Sequence, residues 1–440
     1  MGTTYHIETF GCQMNKHDSE LMALSMEEAS FTPAADASSA DVVIFNTCSV
    51  RDHAEQRALS RLRSLGKQGK NRKRIVVIAG CMAQRIGRRL LDEKTADIIV
   101  GPYQSPSMGR LIMAHMENPA SAAYLSQEAG DFSTRIVPEG NVRIGGPPWH
   151  SWVTITHGCE NFCSYCIVPI VRGRLISFPS DAILAHIRDL AGKGTREITL
   201  LGQNVNQYGM DTGDIPFSRL LESAAEVPGI ERIGFLTSHP AAFPVEILRV
   251  IRDHPNISRS IHLPLQSGSD RVLAMMNRRY TVSDYMEIVE AARSILENCA
   301  LSTDLIVGFP GETEEDFGAT LDALEKIHFD DAFTYAYSPR SGTPASLIPE
   351  SLTRPEKMER LSRLIQVQRQ ISSRKLNERI DREEEVIIEK FSKKSSAKVM
   401  GKTFLNHVAV VPGTADDIGR KLRIRVIGVR GSTLRGARLA

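Results

Sequence analysis

Three short apolar stretches near the start of the chain each end in a cysteine. They read "TTYHIETFGC", "DVVIFNTC" and "RIVVIAGC", and they end at Cys12, Cys48 and Cys81. Each has the apolar and β-branched residues of a buried strand, and helical segments such as "DSELMALSMEEA" separate them. Alternating strands and helices predict an open parallel α/β sheet. Functional sites of such sheets lie at the carboxyl ends of the strands, so we expect the three thiols to meet at one sheet edge.

A second alternating series follows residues 119–148, which lack periodicity, end in "IGGPPWH" and are interpreted as a linker. Its strand candidates are "WVTIT", "EITLLG", "RIGFLTS", "SIHLPL", "LSTDLIVGF" and "AFTYAYS". Six such units over residues 149–374 predict a partial, TIM-like (β/α)6 barrel. The chemistry of such a barrel lies at its carboxyl-terminal mouth.

The last part of the chain, residues 375–440, reads as short strands and turns and predicts a small β-barrel. Although the whole chain has a net charge of +2, this part holds twelve lysines and arginines from Lys390 to Arg438, against Asp416 and Asp417 beyond position 390. Such a charge excess favours a polyanion as partner, with a solvated basic surface as the alternative. The α/β domain of residues 1–118 completes the predicted domain organisation.

Composition and cysteine usage indicate a soluble protein of the cytoplasm. Hydrophobic residues make up 42% and charged residues 24%, and no apolar run approaches the roughly 18–20 residues that a membrane span requires. The first residues lack the pattern of a signal peptide. Seven cysteines, an odd number, argue against a disulfide framework and favour reduced thiols that bind metal.

The strongest motif is "HGCENFCSYCIVP", which places Cys159, Cys163 and Cys166 after the first barrel strand. Three thiolates can hold three irons of a 4Fe–4S cube, which normally takes four. The fourth iron then stays open and can chelate the amino and carboxylate groups of S-adenosylmethionine. A zinc knuckle with His157 as fourth ligand is the alternative, but it leaves the barrel context unexplained.

This spacing, with Tyr165 before the last cysteine and a six-unit barrel behind it, resembles the radical S-adenosylmethionine enzymes. Longer motifs resemble the methylthiotransferases, most closely those that act on isopentenylated tRNA. They are "FGCQMNKHDSE", "FNTCSVRDHAEQRA", "GCENFCSYCIVPIVRGR", "LLGQNVNQYG", "TSHP", "HLPLQSGSDRVLAMMNRRYT" and "STDLIVGFPGETEEDF". Two positions depart from the family pattern: the family usually has tyrosine where this chain has Ile170 within the cysteine motif, and it often has proline where "SPRSGT" has Ser341.

The resemblance implies two 4Fe–4S clusters, S-adenosylmethionine as radical source and methyl donor, and a C-terminal TRAM module for RNA. Cys159, Cys163 and Cys166 would hold the cluster that cleaves S-adenosylmethionine. Cys12, Cys48 and Cys81 would hold an auxiliary cluster that donates sulfur.

The implied reaction replaces C–H by C–S–CH3 at C2 of N6-isopentenyladenosine 37 in tRNA. The implied partners are a tRNA anticodon stem-loop and a reductant such as flavodoxin or ferredoxin, and we expect a monomer without membrane attachment. The alternatives are a sibling enzyme acting on threonylcarbamoyladenosine tRNA or ribosomal protein S12, and a non-catalytic iron–sulfur RNA-binding protein.

Further site residues follow from strand ends, where the superfamily binds its cofactor. The predicted cofactor-binding residues are Gly202, Gln203, Asn204, Ser238, Gln266, Asp304 and Arg172. Scaffold roles are the alternative for Gln266 and Asp304. A phosphate or carboxylate contact, or a solvated surface, is open for Arg172, Arg174 and Arg340. We interpret His239 and His262 as structural and Cys299 as a packing residue.

Overall fold

A computed structural model describes residues 2–50, 52–68, 74–126, 147–393 and 395–439. Most of the predicted linker, residues 127–146, lies outside the described residues. The described chain contains an α/β sheet, a partial barrel and a small β-barrel, in that order. The predicted fold class is confirmed.

The N-terminal sheet consists of six parallel strands in the order β2-β1-β3-β4-β5-β6. Its elements are β1 (Thr4–Thr9), α1 (Gln13–Glu28), β2 (Thr32–Pro33), β3 (Val42–Thr47), α2 (Asp52–Gln68), β4 (Ile75–Gly80), α3 (Cys81–Asp92), β5 (Ile98–Val100), α4 (Met108–Glu117) and β6 (Ala122–Tyr124). All six residues of β3 are buried because helices cover both faces of this central strand. Strand β6, within the segment interpreted as a linker, pairs with β5 and extends the sheet.

The central domain contains six parallel barrel strands, β7 and β10 to β14. Its elements are β7 (His150–Thr154), β8 (Thr156–His157), α5 (Val168–Arg172), β9 (Ile176–Ser177), α6 (Ser180–Gly192), β10 (Glu197–Leu201), α7 (Phe217–Ala225), β11 (Arg232–Phe235), α8 (Val245–Asp253), β12 (Ser260–His262), α9 (Asp270–Met275), α10 (Val282–Ile295), β13 (Ala300–Val307), α11 (Glu314–Ile327), β14 (Asp331–Ala336) and α12 (Arg354–Asn377). Two three-stranded sheets, β7-β10-β11 and β12-β13-β14, make up the barrel. A parallel bridge between Ile233 and Ile257 connects them.

The C-terminal strands close into a barrel in the order β15-β16-β17-β19-β18. They are β15 (Glu383–Ser392), β16 (Ser395–Thr403), β17 (Val408–Pro412), β18 (Lys421–Arg430) and β19 (Thr433–Arg438). The sequence patterns did not identify β16 and β19 as strands. In β16, the buried position 401 is glycine and Val399 is the one β-branched apolar residue, so the apolar signal of a strand is weak.

The small barrel is attached to the amino-terminal ends of the central strands. Arg232, the first residue of β11, donates from Nη1 to the carbonyl oxygens of Lys402 and Thr403, each over 3.2 Å. Ser258 donates from Oγ to the carbonyl oxygen of Phe404 over 2.8 Å. The small barrel therefore lies at the end of the central barrel opposite to its mouth.

The N-terminal domain packs on the central barrel through α1 and the segment after β5. Leu21 and Tyr103 belong to the same buried apolar cluster as Val153 and Ile155 of the first barrel strand and its extension. No helix in the part of the chain that the structure describes combines the length and apolar character needed to cross a bilayer.

Candidate active site

The first cysteine triplet lies at the carboxyl ends of three neighbouring strands. Cys12 precedes α1 after β1, Cys48 follows β3 directly, and Cys81 follows β4 as the first residue of α3. The strands β1, β3 and β4 are adjacent in the sheet. The structure thus brings the three predicted thiols to one sheet edge, where Cys48 and Cys81 are buried and Cys12 is half-buried.

A buried amide pair fixes the backbone around this triplet. Asn15 donates from Nδ2 to Asn46 Oδ1 over 3.1 Å and to the carbonyl oxygen of Thr47 over 3.2 Å. Asn46 donates in turn to the carbonyl oxygen of Asn15 over 2.7 Å. A hydrogen bond from Cys48 lowers the pKa of the Cys12 thiol to about 6, although burial opposes this shift. The edge therefore favours a thiolate at Cys12, the form that binds metal.

Arg172 lies at this edge rather than among the other residues predicted to bind S-adenosylmethionine. It donates from Nε to Cys81 Sγ over 3.2 Å and from Nη2 to the buried carboxylate of Asp18. Its Nη1 lies 3.5 Å from His157 Nδ1. Burial disfavours this cation, but the charges of Asp18 and Cys81 raise the pKa of Arg172 well above its ordinary value. Arg172 lies beside the first triplet because α5, whose last residue it is, packs against α3 and buries the guanidinium.

The second triplet lies on the loop between β8 and α5. This loop turns sharply at Gly158, which has a φ of 74°, and a Cβ at that position would lie 1.8 Å from the carbonyl oxygen of Arg174. The amide of Cys166 donates to the carbonyl oxygen of Cys163 over 2.9 Å, which curls the loop around its own cysteines. Burial raises the pKa of the Cys166 thiol to about 12, so this sulfur needs a nearby cation or metal to ionise.

A buried arginine, Arg278, supports the second triplet. It donates from Nη1 to Cys163 Sγ over 3.4 Å, from Nε to Tyr280 Oη over 2.9 Å and from Nη2 to the carbonyl oxygen of Pro264 over 2.8 Å. Sequence reasoning did not single out Arg278, Asp18 or Asn15. Their roles depend on contacts between segments that are distant in the sequence. The only sequence feature that could have indicated them was their position inside the quoted motifs.

The mouth of the central barrel contains buried polar atoms that have no hydrogen-bond partner among the described residues. One is Oγ1 of Thr156 in β8, and the others belong to four predicted cofactor-binding residues that follow β10, β11 and β12: Gln203 Oε1, Asn204 Oδ1 and Nδ2, Ser238 Oγ and Gln266 Oε1. Unpartnered buried polar atoms cost about 1–3 kcal/mol each. Their concentration at one place indicates a binding site for a polar ligand.

Two further predicted residues of the mouth have internal contacts. A Cβ at Gly202 would lie 2.1 Å from Thr156 Oγ1, so only glycine allows this close approach between the strand exits. Asp304 lies 3.5 Å from His262 Nε2 through Oδ2, and its carbonyl oxygen accepts from the amide of Gln266 over 2.8 Å. Their assignment as cofactor-binding residues stays a prediction.

The remaining candidates have structural partners. His239 accepts from the amide of Ala241 over 3.2 Å, and burial lowers its pKa well below the ordinary value. Arg340 forms a 3.0 Å ion pair with Asp52 of the N-terminal domain, and the exposed Arg174 lies 3.8 Å from Glu160. Cys299 packs against the central core.

The two departures from the family pattern are neighbours in space. A Cβ on Gly342, the residue after Ser341, would lie 3.3 Å from Ile170 Cδ1. Ile170 also packs against the cluster of Cys81, Ile167 and Val171 that connects α3 and α5. The side chain at position 170 therefore packs on the interdomain cluster and lies close to Gly342.

Three family models match successive parts of the chain. Residues 4–101 match the uncharacterized protein family UPF0004, residues 153–324 match the radical SAM superfamily, and residues 379–439 match the TRAM domain. The fold and the cysteine triplet at the barrel mouth therefore define a radical S-adenosylmethionine enzyme with a TRAM domain.

Two curated relatives identify the family within this class. The tRNA-2-methylthio-N(6)-dimethylallyladenosine synthase of Thermoanaerobacter pseudethanolicus is 40% identical over 98% of this chain and 92% of its own length. The synthase of the same name from Thermotoga petrophila is 40% identical over 98% of this chain and 96% of its own. The chain belongs to the family of tRNA-2-methylthio-N(6)-dimethylallyladenosine synthases, which confirms the resemblance noted in the sequence.

Solved structures share the fold at low sequence identity. The radical S-adenosylmethionine methyltransferase TsrM from Kitasatospora setae, with cobalamin and a 4Fe–4S cluster bound, aligns with a TM-score of 0.57 at 14% identity. The alignment covers 79% of this chain and 77% of TsrM. The cobalamin-dependent radical enzyme OxsB aligns with a TM-score of 0.51 at 11% identity, over 81% of this chain and 56% of OxsB.

The residues present fit the cofactors of this class, 4Fe–4S clusters and S-adenosylmethionine. Among the described residues, no group of three or more His, Cys, Asp or Glu side chains is arranged to hold one metal ion. Each triplet has a buried arginine that donates to one of its sulfurs, and the mouth supplies unpartnered atoms for a polar ligand.

Proposed function

We propose that this chain inserts a methylthio group at C2 of N6-isopentenyladenosine 37 in tRNA. The observation that carries the proposal is the short connection between the two cysteine triplets. Helix α5 starts two residues after Cys166, and Cys81 packs against Ile167 and Val171. A site for radical formation and a site for sulfur donation would thus lie on either side of one interdomain boundary.

No acidic or basic side chain can remove an aromatic C2 hydrogen at neutral pH. When bound, S-adenosylmethionine and the clusters supply the one-electron and sulfur-transfer chemistry that the side chains lack. We assign Cys159, Cys163 and Cys166 to the cluster of the barrel mouth.

Cys12, Cys48 and Cys81 are assigned to the auxiliary cluster. The unpartnered atoms of Gln203, Asn204 and Ser238, together with Gln266 and Asp304, would orient S-adenosylmethionine and exclude water around it.

RNA binding is assigned to the C-terminal barrel, whose cations attract phosphates without reading sequence. Base identity would then be read at the mouth. An anticodon-loop adenosine is already unpaired and can be turned out of its stack at low cost. We further propose that the chain acts as a monomer in the cytoplasm with flavodoxin or ferredoxin as reductant.

The experiment is anaerobic reconstitution of the full chain, followed by reaction with an isopentenylated anticodon stem-loop. The unprenylated stem-loop, a threonylcarbamoylated stem-loop and a peptide of ribosomal protein S12 serve as comparisons. We expect the methylthiolated nucleoside only from the isopentenylated RNA. Product from the peptide or the threonylcarbamoylated RNA alone would assign a sibling activity. Absence of 5′-deoxyadenosine with every substrate would contradict a radical enzyme.

A further inference from the structure

One buried side chain, Arg172, connects the two domains at the auxiliary triplet. It ends α5 of the central domain, yet its guanidinium contacts Asp18 of α1 and Cys81 of α3 in the N-terminal domain. Its backbone is held from the same side, since Tyr103 donates from Oη to the carbonyl oxygen of Arg172 over 2.7 Å. The residue is therefore anchored to the N-terminal domain at both its main chain and its side chain.

The contact between Arg172 and Asp18 is fully buried, so neither charge can be satisfied by water. Arg172 is 2% exposed and Asp18 is 0% exposed. Removing one partner of a buried ion pair leaves an uncompensated charge and is strongly destabilising, whereas the intact pair is often close to neutral for stability. A buried pair that adds little stability but fixes orientation is suited to positioning a third group. Here that group is the sulfur of Cys81.

A positively charged N–H donor beside a ligand sulfur changes the reduction potential of the cluster that the sulfur holds. Reduction adds negative charge to an iron–sulfur cluster, and hydrogen bonds to its sulfurs are among the features that set its potential. A guanidinium in a site of low dielectric stabilises the more negative state. The same reasoning applies to the other triplet, but there the donor to Cys163 is Arg278, so each site has its own cation.

We propose that Arg172, held by Asp18, is a positioning residue that raises the reduction potential of the auxiliary cluster and keeps its sulfur-donating edge against the barrel mouth. This inference rests on the proposed function, because it assigns Cys81 to that cluster. It predicts that loss of the guanidinium changes one cluster and not the other, and that cleavage of S-adenosylmethionine continues without matching methylthiolation.

The test uses the full-length holoenzyme with Arg172→Gln, Arg172→Lys and Asp18→Asn. Redox titration followed by electron paramagnetic resonance gives the potential of each cluster, and a Cys12→Ala/Cys48→Ala/Cys81→Ala chain assigns the signal of the barrel cluster. We expect the auxiliary potential to become more negative in Arg172→Gln while the barrel potential is unchanged. Arg172→Lys keeps the positive charge, so the auxiliary potential should lie between those of the wild type and Arg172→Gln. Asp18→Asn removes a negative charge and keeps the guanidinium, so the auxiliary potential should become less negative, opposite in sign to the shift in Arg172→Gln.

The second readout is the ratio of methylthiolated nucleoside to 5′-deoxyadenosine, which should fall several-fold in Arg172→Gln. Unchanged auxiliary potentials, or equal shifts of both clusters in all three variants, would overturn the inference. If Arg172→Gln loses the auxiliary iron entirely, the potentials of Arg172→Lys and Asp18→Asn decide. A wild-type chain with both clusters but no methylthiolation would contradict the proposed function. An active wild type, with variants whose auxiliary potential equals that of the wild type, would contradict only the role of Arg172.

Discussion

Arg278 donates from Nη1 to the sulfur of Cys163 over 3.4 Å, although 115 residues separate the two in the sequence. Both side chains are buried. The arginine also donates to Tyr280 Oη and to the carbonyl oxygen of Pro264, so the cation is fixed on three sides. Such a donor stabilises negative charge on the sulfur, which is the form that binds iron.

Replacing Arg278 should therefore weaken the chemistry at the barrel mouth. A hydrogen bond to a charged group contributes about 1.5–3 kcal/mol, so Arg278→Gln should slow release of 5′-deoxyadenosine about 10- to 100-fold. Arg278→Lys should recover part of the rate. The exposed neighbour Arg279 provides a matched control, and Arg279→Gln should keep the wild-type rate. Equal losses in Arg278→Gln and Arg279→Gln would contradict a specific role at Cys163.

The two triplets should separate cofactor cleavage from sulfur insertion. Cys163→Ala removes a ligand of the mouth cluster and should abolish reductive cleavage of S-adenosylmethionine. Cys48→Ala should leave part of that cleavage intact and end methylthiolation, because the sulfur donor is lost. Chromatography of 5′-deoxyadenosine and methylthiolated nucleoside from one reaction measures both. Parallel loss of both products in the two variants would refute this division of labour.

Asn204 and Asn206 form a natural pair for testing the S-adenosylmethionine pocket. Both side-chain atoms of Asn204 lack hydrogen-bond partners among the described residues. Asn206, in contrast, accepts from the amide of His239 over 2.8 Å and donates to its carbonyl oxygen over 3.1 Å. Asn204→Ala should raise the dissociation constant of S-adenosylmethionine about 10-fold with an unchanged melting temperature.

The matched variant Asn206→Ala should instead lower the free energy of unfolding by about 1–3 kcal/mol, because two buried backbone groups lose their partners. Calorimetric titration with S-adenosylmethionine and thermal melting distinguish the two effects. A lowered melting temperature with unchanged binding in Asn204→Ala would place this residue in the scaffold.

The C-terminal barrel carries two groups of surface cations, one paired with an acidic residue and one not. On β18, Arg423 and Arg425 pair with Glu383 of β15 at 2.9 and 3.2 Å. Away from this acidic residue, the register places Lys390, Met400, Val410 and Arg435 in one row across four strands. Neither Lys390 nor Arg435 has an ion-pair partner within the described ranges.

RNA should therefore bind at the row with Lys390 and Arg435, the cations without an ion-pair partner among the described residues. Lys390→Gln/Arg435→Gln should weaken tRNA binding and reduce the slope of log K against log salt by about 1 for each phosphate that the protein no longer neutralises. Arg423→Gln/Arg425→Gln removes the same charge from the group paired with Glu383 and should change the affinity less. Filter binding at two salt concentrations gives both quantities, and a larger effect of the β18 pair would reverse the assignment.

Two histidines at the domain boundary should contribute to the pH dependence of stability. Burial lowers the pKa of His17 and of His186 to about 4, below the 6.5 of the unfolded chain. Between these values the unfolded chain binds more protons, so the free energy of unfolding falls as the pH drops from about 7 towards 5. Each histidine contributes at most about 1.4 kcal/mol per pH unit in this range. Urea unfolding at pH 7, 6 and 5 should show a flatter dependence in His186→Gln, and an unaltered slope would argue against this source.

Much of the fold and of the cysteine sites could be predicted from the sequence because their signals are local. A buried strand that ends in a thiol is visible within ten residues, and parallel topology then places such ends together. Cys12, Cys48 and Cys81 meet at one edge for that reason.

The cations of the site could not be predicted in the same way. Asp18 and Arg172 are 154 residues apart, and their contact exists only because two domains pack against each other. An arginine after a cysteine motif fits a phosphate contact, a carboxylate contact or a solvated surface equally well, so the sequence left the role of Arg172 open. Strands β16 and β19 were missed because glycine fills a buried position in each, Gly401 and Gly436, which leaves few apolar residues to mark a strand.

Iron and sulfide analysis of anaerobically reconstituted chains tests the central claim, that two separate triplets each hold a 4Fe–4S cluster. The account predicts about eight irons per wild-type chain and about four in each variant that lacks one whole triplet, either Cys12, Cys48 and Cys81 or Cys159, Cys163 and Cys166. About four irons in the wild type, or loss of all iron when a single triplet is removed, would contradict it.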